Sequence, residues 1–188
     1  MTDYVQNVSE WEDWQPAYRF GVLLIYPPEP LRSLVNNLRA KHDPKSQAIC
    51  DAHISLTVPL PEPISQTDWG DLQALAGSIP SVALTYGPLR HYLPHPGVAL
   101  GVEPQEQLDQ LRKRLESSSA FVGATARSYP FSGHMTIAEF ITAERTRALM
   151  EELKDAVPPG AFLCDRVSLA VPDEGFRFEE RDKLWLAH

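Results

Sequence analysis

The chain has 188 residues, is 43% hydrophobic and 22% charged, and carries a net charge of −8. That length suits one compact domain with a real core, and no apolar run approaches the ~18 residues that would cross a bilayer. The acidic balance excludes a protein that grips long nucleic acid through a basic face; the densest basic cluster, Arg112-Lys113-Arg114, would splay over a wide arc of a helix. Cys50 and Cys164 are too few and too far apart for a disulfide framework or a paired-cysteine metal knuckle, and they read as reduced thiols of a cytoplasmic protein.

Residues up to about Gln15 form a polar lead-in, with Trp11 and Trp14 as the residues that would dock it. The first fourteen hold four acids and no base, and they lack the apolar segment of a secretory signal. A strand is expected from Ala17 to Ile25, ended by Pro27-Pro28. A helix follows from Pro30 to Ala40, with Pro30 where a missing N–H costs nothing. Lys41 to Cys50 reads as a loop in which Asp43-Pro44 marks a turn. The strand that carries His53 ends at Pro59. Ser65-Gln66-Thr67-Asp68 resembles a capping box and opens a helix to about Ile79, followed by a strand from Val82 to Tyr86. The stretch from Gly87 to Gly97 reads as a joining loop. Beyond it come an apolar segment from Gly97, a helix from Gln105 to Leu115, an irregular approach to His134, and a helix from Ile141 to about Val157. The chain closes on a hairpin over 161–186, turning at Pro172-Asp173-Glu174-Gly175.

This order contains a repeat. The unit strand, helix, histidine-bearing strand, helix, strand runs over about 17–87 and again over about 97–171. A repeat of this size implies two pseudo-equivalent lobes and not a solenoid, which needs three or more short units. The expected fold is α+β, a single bilobal domain over 1–188 with two largely antiparallel sheets flanking a central cleft and helices outside.

The equivalent strands spell one word. His53-Ile54-Ser55-Leu56 and His134-Met135-Thr136-Ile137 both read His, apolar, hydroxyl, apolar. Side chains alternate along a strand, so each histidine shares a face with the hydroxyl two residues on. Two imidazoles and two hydroxyls lining one cleft are a kit for acid–base chemistry around an oxyanion. A metal site is the rival use of paired histidines, but neither motif has a second His nearby or the ligand spacing zinc prefers. Asp51 precedes His53 by two residues, and Ser132 holds the matching place. No Gly-x-Ser-x-Gly elbow, activated cysteine or phosphate-cradling glycine loop is present. His42, His91, His95 and His188 have no duplicated counterpart and read as exposed and uninvolved. Tyr129 and Phe131 are either core or platforms for a base, and Arg127 either reaches a phosphate or is solvated. No cluster of Lys or Arg is evident near either motif.

On these two tetrapeptides, 81 positions apart, the chain resembles the two-histidine phosphoesterases, the superfamily of RNA 2′,3′-cyclic phosphodiesterases and 2′-5′ RNA ligases. The resemblance extends from Phe20 to Leu186. It implies catalytic roles for His53 and His134, phosphate binding by Ser55 and Thr136, and no metal or other cofactor. It assigns His53 as acid and His134 as base, which the pseudo-symmetry could equally reverse. Met135 and the Ser132-Gly133 pair are mild departures from the usual pattern. The implied substrate is a nucleotide or short RNA end with a cyclic phosphate. The alternatives are RNA ligation, cleavage of 2′-5′ oligonucleotides, and a non-enzymatic module that binds phosphate ends. The expected partners include no long nucleic acid and no membrane, and the protein is expected to be a cytoplasmic monomer.

Overall fold

The computed structural model describes residues 3–91 and 95–187. In chain order its elements are β1 (Val22–Ile25), α1 (Leu31–His42), α2 (Pro44–Ile49), β2 (Ile54–Ser55), α3 (Gln66–Ala76), β3 (Val82–His91), β4 (Gly97–Glu103), α4 (Gln105–Glu116), β5 (His134–Glu139), α5 (Ala143–Leu153), β6 (Gly160–Cys164), β7 (Arg166–Pro172) and β8 (Phe178–Trp185). Two short 3-10 turns, Gln15–Tyr18 and Ser119–Phe121, complete the regular structure of the described residues. The strands form two antiparallel four-stranded sheets, ordered β2-β1-β7-β8 and β5-β4-β3-β6. The fold is α+β, as the sequence suggests.

The last strand of each half crosses over. β3 follows the helix of the first half, yet it pairs with β4 and β6 in the second sheet. β7 follows the helix of the second half and pairs with β1 in the first, Leu24 lying against Ser168. The first arm of the expected closing hairpin, ahead of the turn at Pro172, is therefore two strands in two sheets. The break falls at Asp165, after which Arg166 pairs with Trp185 of the closing hairpin.

Three other segments depart from expectation. The first strand begins at Val22 because Pro16 opens a 3-10 turn and Gly21 turns the chain with φ +91. A Cβ on Gly21 would stand 2.6 Å from the Ala170 carbonyl oxygen. Within the expected loop 41–50 lies α2, whose N-cap is Asp43, accepting from the Ser46 N–H. Asp-Pro suits a helix start as well as a turn. The expected loop 87–97 is largely a hairpin, since β3 runs on to His91; residues 92–94 lie outside the described residues. The capping box is as expected, Ser65 accepting from the Asp68 N–H.

Alternation along β1 sends Leu23 and Ile25 into the main core with Leu100, Met135, Leu108 and Leu149. Its other side chains, Val22 and Leu24, join Tyr26, Cys50 and Ala170 in a smaller cluster. Trp11 and Trp14 dock the N-terminal segment on Phe176, with ring centroids 5.0 and 5.1 Å away.

The β4–β5 pairing carries a bulge. Ala99 faces Thr136 and Val98 faces Ala138, so Ile137 is extra. Gly97 makes the close approach feasible, because a Cβ there would meet the Ala138 carbonyl oxygen at 2.5 Å and the Glu139 Cα at 3.0 Å. Both are backbone atoms and cannot swing away. Gly97→Ala is expected to lower stability by ~1–3 kcal/mol, read by urea denaturation.

Candidate active site

β2 and β5 are each the outer strand of their sheet, and the two approach one another. The histidine motifs therefore meet where the two sheets meet. Their registers match: Ser55 pairs with Leu24 and Ile54 with Ile25, while Thr136 pairs with Ala99 and Met135 with Leu100. Ile54 and Met135 are fully buried; His53, His134 and Thr136 are half-buried, and Ser55 is exposed.

Each imidazole is held in the same way. His53 Nδ1 donates to the Asp51 carbonyl oxygen at 2.7 Å, and His134 Nδ1 donates to the Ser132 carbonyl oxygen at 2.7 Å. A carbonyl can only accept, so each Nδ1 carries the proton and Nε2 is the nitrogen that can exchange one. The backbone behind each carbonyl is fixed. Arg32, Arg177 and Gln47 hold the Asp51 carboxylate at 2.9, 3.2 and 3.3 Å. Gln105 accepts from the Gly133 N–H at 2.7 Å and donates back to its carbonyl at 2.8 Å.

The outer edge of each histidine strand is closed by charged side chains from the other half of the chain. Arg39, on α1 and almost wholly buried, donates to the Thr136 carbonyl oxygen at 2.9 Å, and Asp43 accepts from the Glu139 N–H at 3.1 Å. In return Arg127 donates to the Leu56 carbonyl oxygen at 3.0 Å, and Glu116 accepts from the Val58 N–H at 2.8 Å. Arg39 also donates to the carbonyl oxygens of Ser46 (2.9 Å) and Cys50 (3.0 Å) and to Gln47 (3.1 Å).

These surroundings keep both imidazoles neutral. Burial, and then the Arg39 charge, push His53 down to about 4. Burial lowers His134 too, and His53 and Arg127 add to it. The bulge at Ile137 resets the alternation and brings Glu139 onto the face of His134 and Thr136. Burial and Asp43 raise its carboxyl, against the pull of Arg39 and His53. Burial raises both thiols, Cys50 to about 11 and Cys164 to about 12, so neither is a thiolate at neutral pH. Among the described residues no three His, Cys, Asp or Glu side chains are grouped to hold a metal ion.

The other candidates fall in different places. Phe131 packs against the main core with the guanidinium groups of Arg112 and Arg127 each 5.5 Å from its ring centroid. Tyr129 is exposed. His42 is not an exposed loop residue: it ends α1, and its buried ring accepts from Arg145 at 3.2 Å. His91 ends β3, His95 stacks on Phe140 at 4.7 Å, and His188 lies outside the described residues. The arginines near the motifs are a correction to the sequence reading, which finds no basic cluster there. Arg39 reaches Thr136 across 97 positions, and nothing local in the sequence marks that contact.

The sequence model of the 2′-5′ RNA ligase superfamily matches residues 27–176. The chain belongs to this superfamily of two-histidine phosphoesterases. LigT of E. coli, solved with 3′-AMP, superposes with a TM-score of 0.59 at 22% identity, covering 89% of this chain and 97% of that one. LigT solved with phosphate gives 0.54 at 21% identity, covering 89% and 96%. The protein TT0787 of Thermus thermophilus gives 0.57 at 18% identity, covering 88% and 96%. At these identities the likeness is one of fold. No curated protein matches the sequence. No helix among the described residues is long and apolar enough to cross a membrane.

Removing the Arg39 guanidinium takes a donor from three carbonyl oxygens, of which that of Ser46 keeps the Cys50 N–H. Arg39→Leu is expected to cost ~3 kcal/mol or more of stability, measured by urea denaturation, and Arg39→Lys is expected to restore only part, because an ammonium lacks the planar fork.

A pH dependence follows from His53. Its folded-state value is depressed, so between ~6.5 and ~4 the unfolded chain takes up a proton that the folded one refuses. Stability present above pH 6.5 is therefore lost as the pH falls towards 4. His53→Gln is expected to lose less stability than the parent between pH 7 and pH 4.5. Equal losses in denaturant titrations at the two pH values would contradict this.

Proposed function

We propose that the chain is a metal-independent phosphodiesterase that opens the 2′,3′-cyclic phosphate of a nucleotide or short RNA end, in a cleft between two lobes of one domain. The observation that carries this reading is the matched pair of imidazoles, each fixed through Nδ1 to the carbonyl two residues before it. Binding a phosphate would not need two titratable groups held alike; moving two protons does. One Nε2 accepts a proton from water as the water oxygen bonds to phosphorus. The other, protonated, gives its proton to the ribose oxygen as the phosphorus–oxygen bond breaks. The hydroxyls of Ser55 and Thr136 donate to the phosphoryl oxygens, where negative charge gathers in the transition state.

Both imidazoles are neutral without ligand, so the pair needs one proton to become competent. An anionic phosphate between them stabilises that proton, and it belongs to the coupled pair rather than to either residue. That LigT was solved with 3′-AMP and with phosphate supports a phosphate-bearing ribose as the ligand here.

Ligation would use the same histidines but would need to hold a second RNA end in line. The arginines around the motifs are engaged within the protein: Arg39 and Arg127 by carbonyl oxygens, Arg32 and Arg177 by Asp51. That arrangement favours water as the nucleophile.

The test is turnover of a 2′,3′-cyclic nucleotide. His53→Ala and His134→Ala are each expected to abolish nearly all activity, and the double variant is expected to be scarcely worse, since the two act as a unit. Ser55→Ala and Thr136→Ala are expected to cost ~10²-fold in kcat, as lost oxyanion donors do. Near-normal turnover by His53→Ala would refute the assignment.

A further inference from the structure

Gly101 stands in the middle of β4, directly across from His134 on β5. A glycine inside a strand weakens it and often marks a place where another group comes close. Here that group is Arg90. A Cβ on Gly101 would lie 2.5 Å from Arg90 Nε, 2.6 Å from Cζ and 2.9 Å from Cδ. Three consecutive atoms of one plane at nearly equal distance place that point beneath the plane. The guanidinium therefore lies flat over the glycine.

The register puts it on the histidine side of the sheet. Arg90 pairs with Ala99, and Ala99 pairs with Thr136, so all three side chains share the face of His134. The guanidinium leans over β4, about one strand spacing (~4.8 Å) from β5. Its edge is pinned. Nη2 donates to Glu103 Oε1 at 3.1 Å, while Glu103 Oε2 accepts from the Gln105 N–H at 3.0 Å. The Arg90 side chain remains 50% exposed, as a flat group does when one face is covered and the other is open.

We propose that Arg90 is the platform on which the nucleobase of the ligand stacks, with Gly101 as its berth and Glu103 as its clamp. A planar guanidinium stacks well on a base, and its pairing with Glu103 suits it to stacking better than to capturing a second phosphate. The proposal rests on the reading that the histidine pair binds a phosphate. The base would then lie beside His134, one strand inward from the edge where the sheets meet.

Two variants remove the platform in different ways. Arg90→Lys keeps the charge and loses the plane. Gly101→Ala evicts the guanidinium at little cost, because the backbone there has no left-handed φ and the displaced atoms end a flexible side chain. Calorimetric titration with inorganic phosphate and with adenosine 3′-phosphate supplies the readout. The parent protein is expected to bind the nucleotide at least about tenfold tighter than phosphate. Each variant is expected to lose most of that ratio, and the double variant to be no worse than either one. A merely structural role would shift thermal stability and leave the ratio alone.

Retention of the ratio by Arg90→Lys would make charge, not stacking, the cause and overturn the proposal; so would its retention by Gly101→Ala. Phosphate binding by the parent with no added affinity for the nucleotide overturns the platform alone. No phosphate binding by the parent overturns the phosphate site and the platform with it.

Discussion

An outer strand exposes backbone groups that no neighbouring strand satisfies, and both histidine motifs lie on outer strands. Their facing edges are closed by side chains, reciprocally. Arg39 and Asp43 serve the carbonyl and N–H of Thr136 and Glu139; Arg127 and Glu116 serve those of Leu56 and Val58. One cation and one anion from each half thus grip the histidine-bearing edge of the other. A continuous sheet through the same line would have filled the space between the imidazoles with backbone. Side chains bridge it instead, with His53, His134 and Thr136 half-buried and Ser55 exposed.

The same groups set the electrostatics. A buried guanidinium is costly unless its donors are met, and those of Arg39 are spent on carbonyl oxygens and an amide rather than on a carboxylate. Its charge is therefore felt nearby. It helps burial to hold His53 neutral and pulls against the upward shift of the Glu139 carboxyl. The clasp that shapes the site also sets its resting protonation.

Local pattern made much of this legible from the sequence alone. Alternation along a strand is a local rule, so His53 with Ser55 and His134 with Thr136 could be placed on shared faces, and the duplicated word carried the family. What escaped depends on distant or compensating features. By simple alternation Glu139 belongs on the face opposite His134, and only the bulge at Ile137 turns it round. Arg39 sits among polar helix residues, and its partners lie in other segments. Arg90 and Gly101 are eleven positions apart and become meaningful only once β3 and β4 pair. Asp43-Pro44 reads equally as a turn or a helix start, and α2 was hidden in that ambiguity.

The exchange of final strands has a consequence for how the protein comes into being. β1 leaves the ribosome early, but its partner Ser168 on β7 lies 144 positions after Leu24. Until β7 and β8 have been made, the first sheet lacks two of its four strands, and pairings this distant in sequence are slow to form. Arg177, which holds the Asp51 carboxylate, lies beyond β7 as well. A chain stopped before β7 would hold both histidine words with the sheet beneath His53 incomplete. The arrangement of the histidine pair thus depends on strands made more than a hundred residues after the first of them.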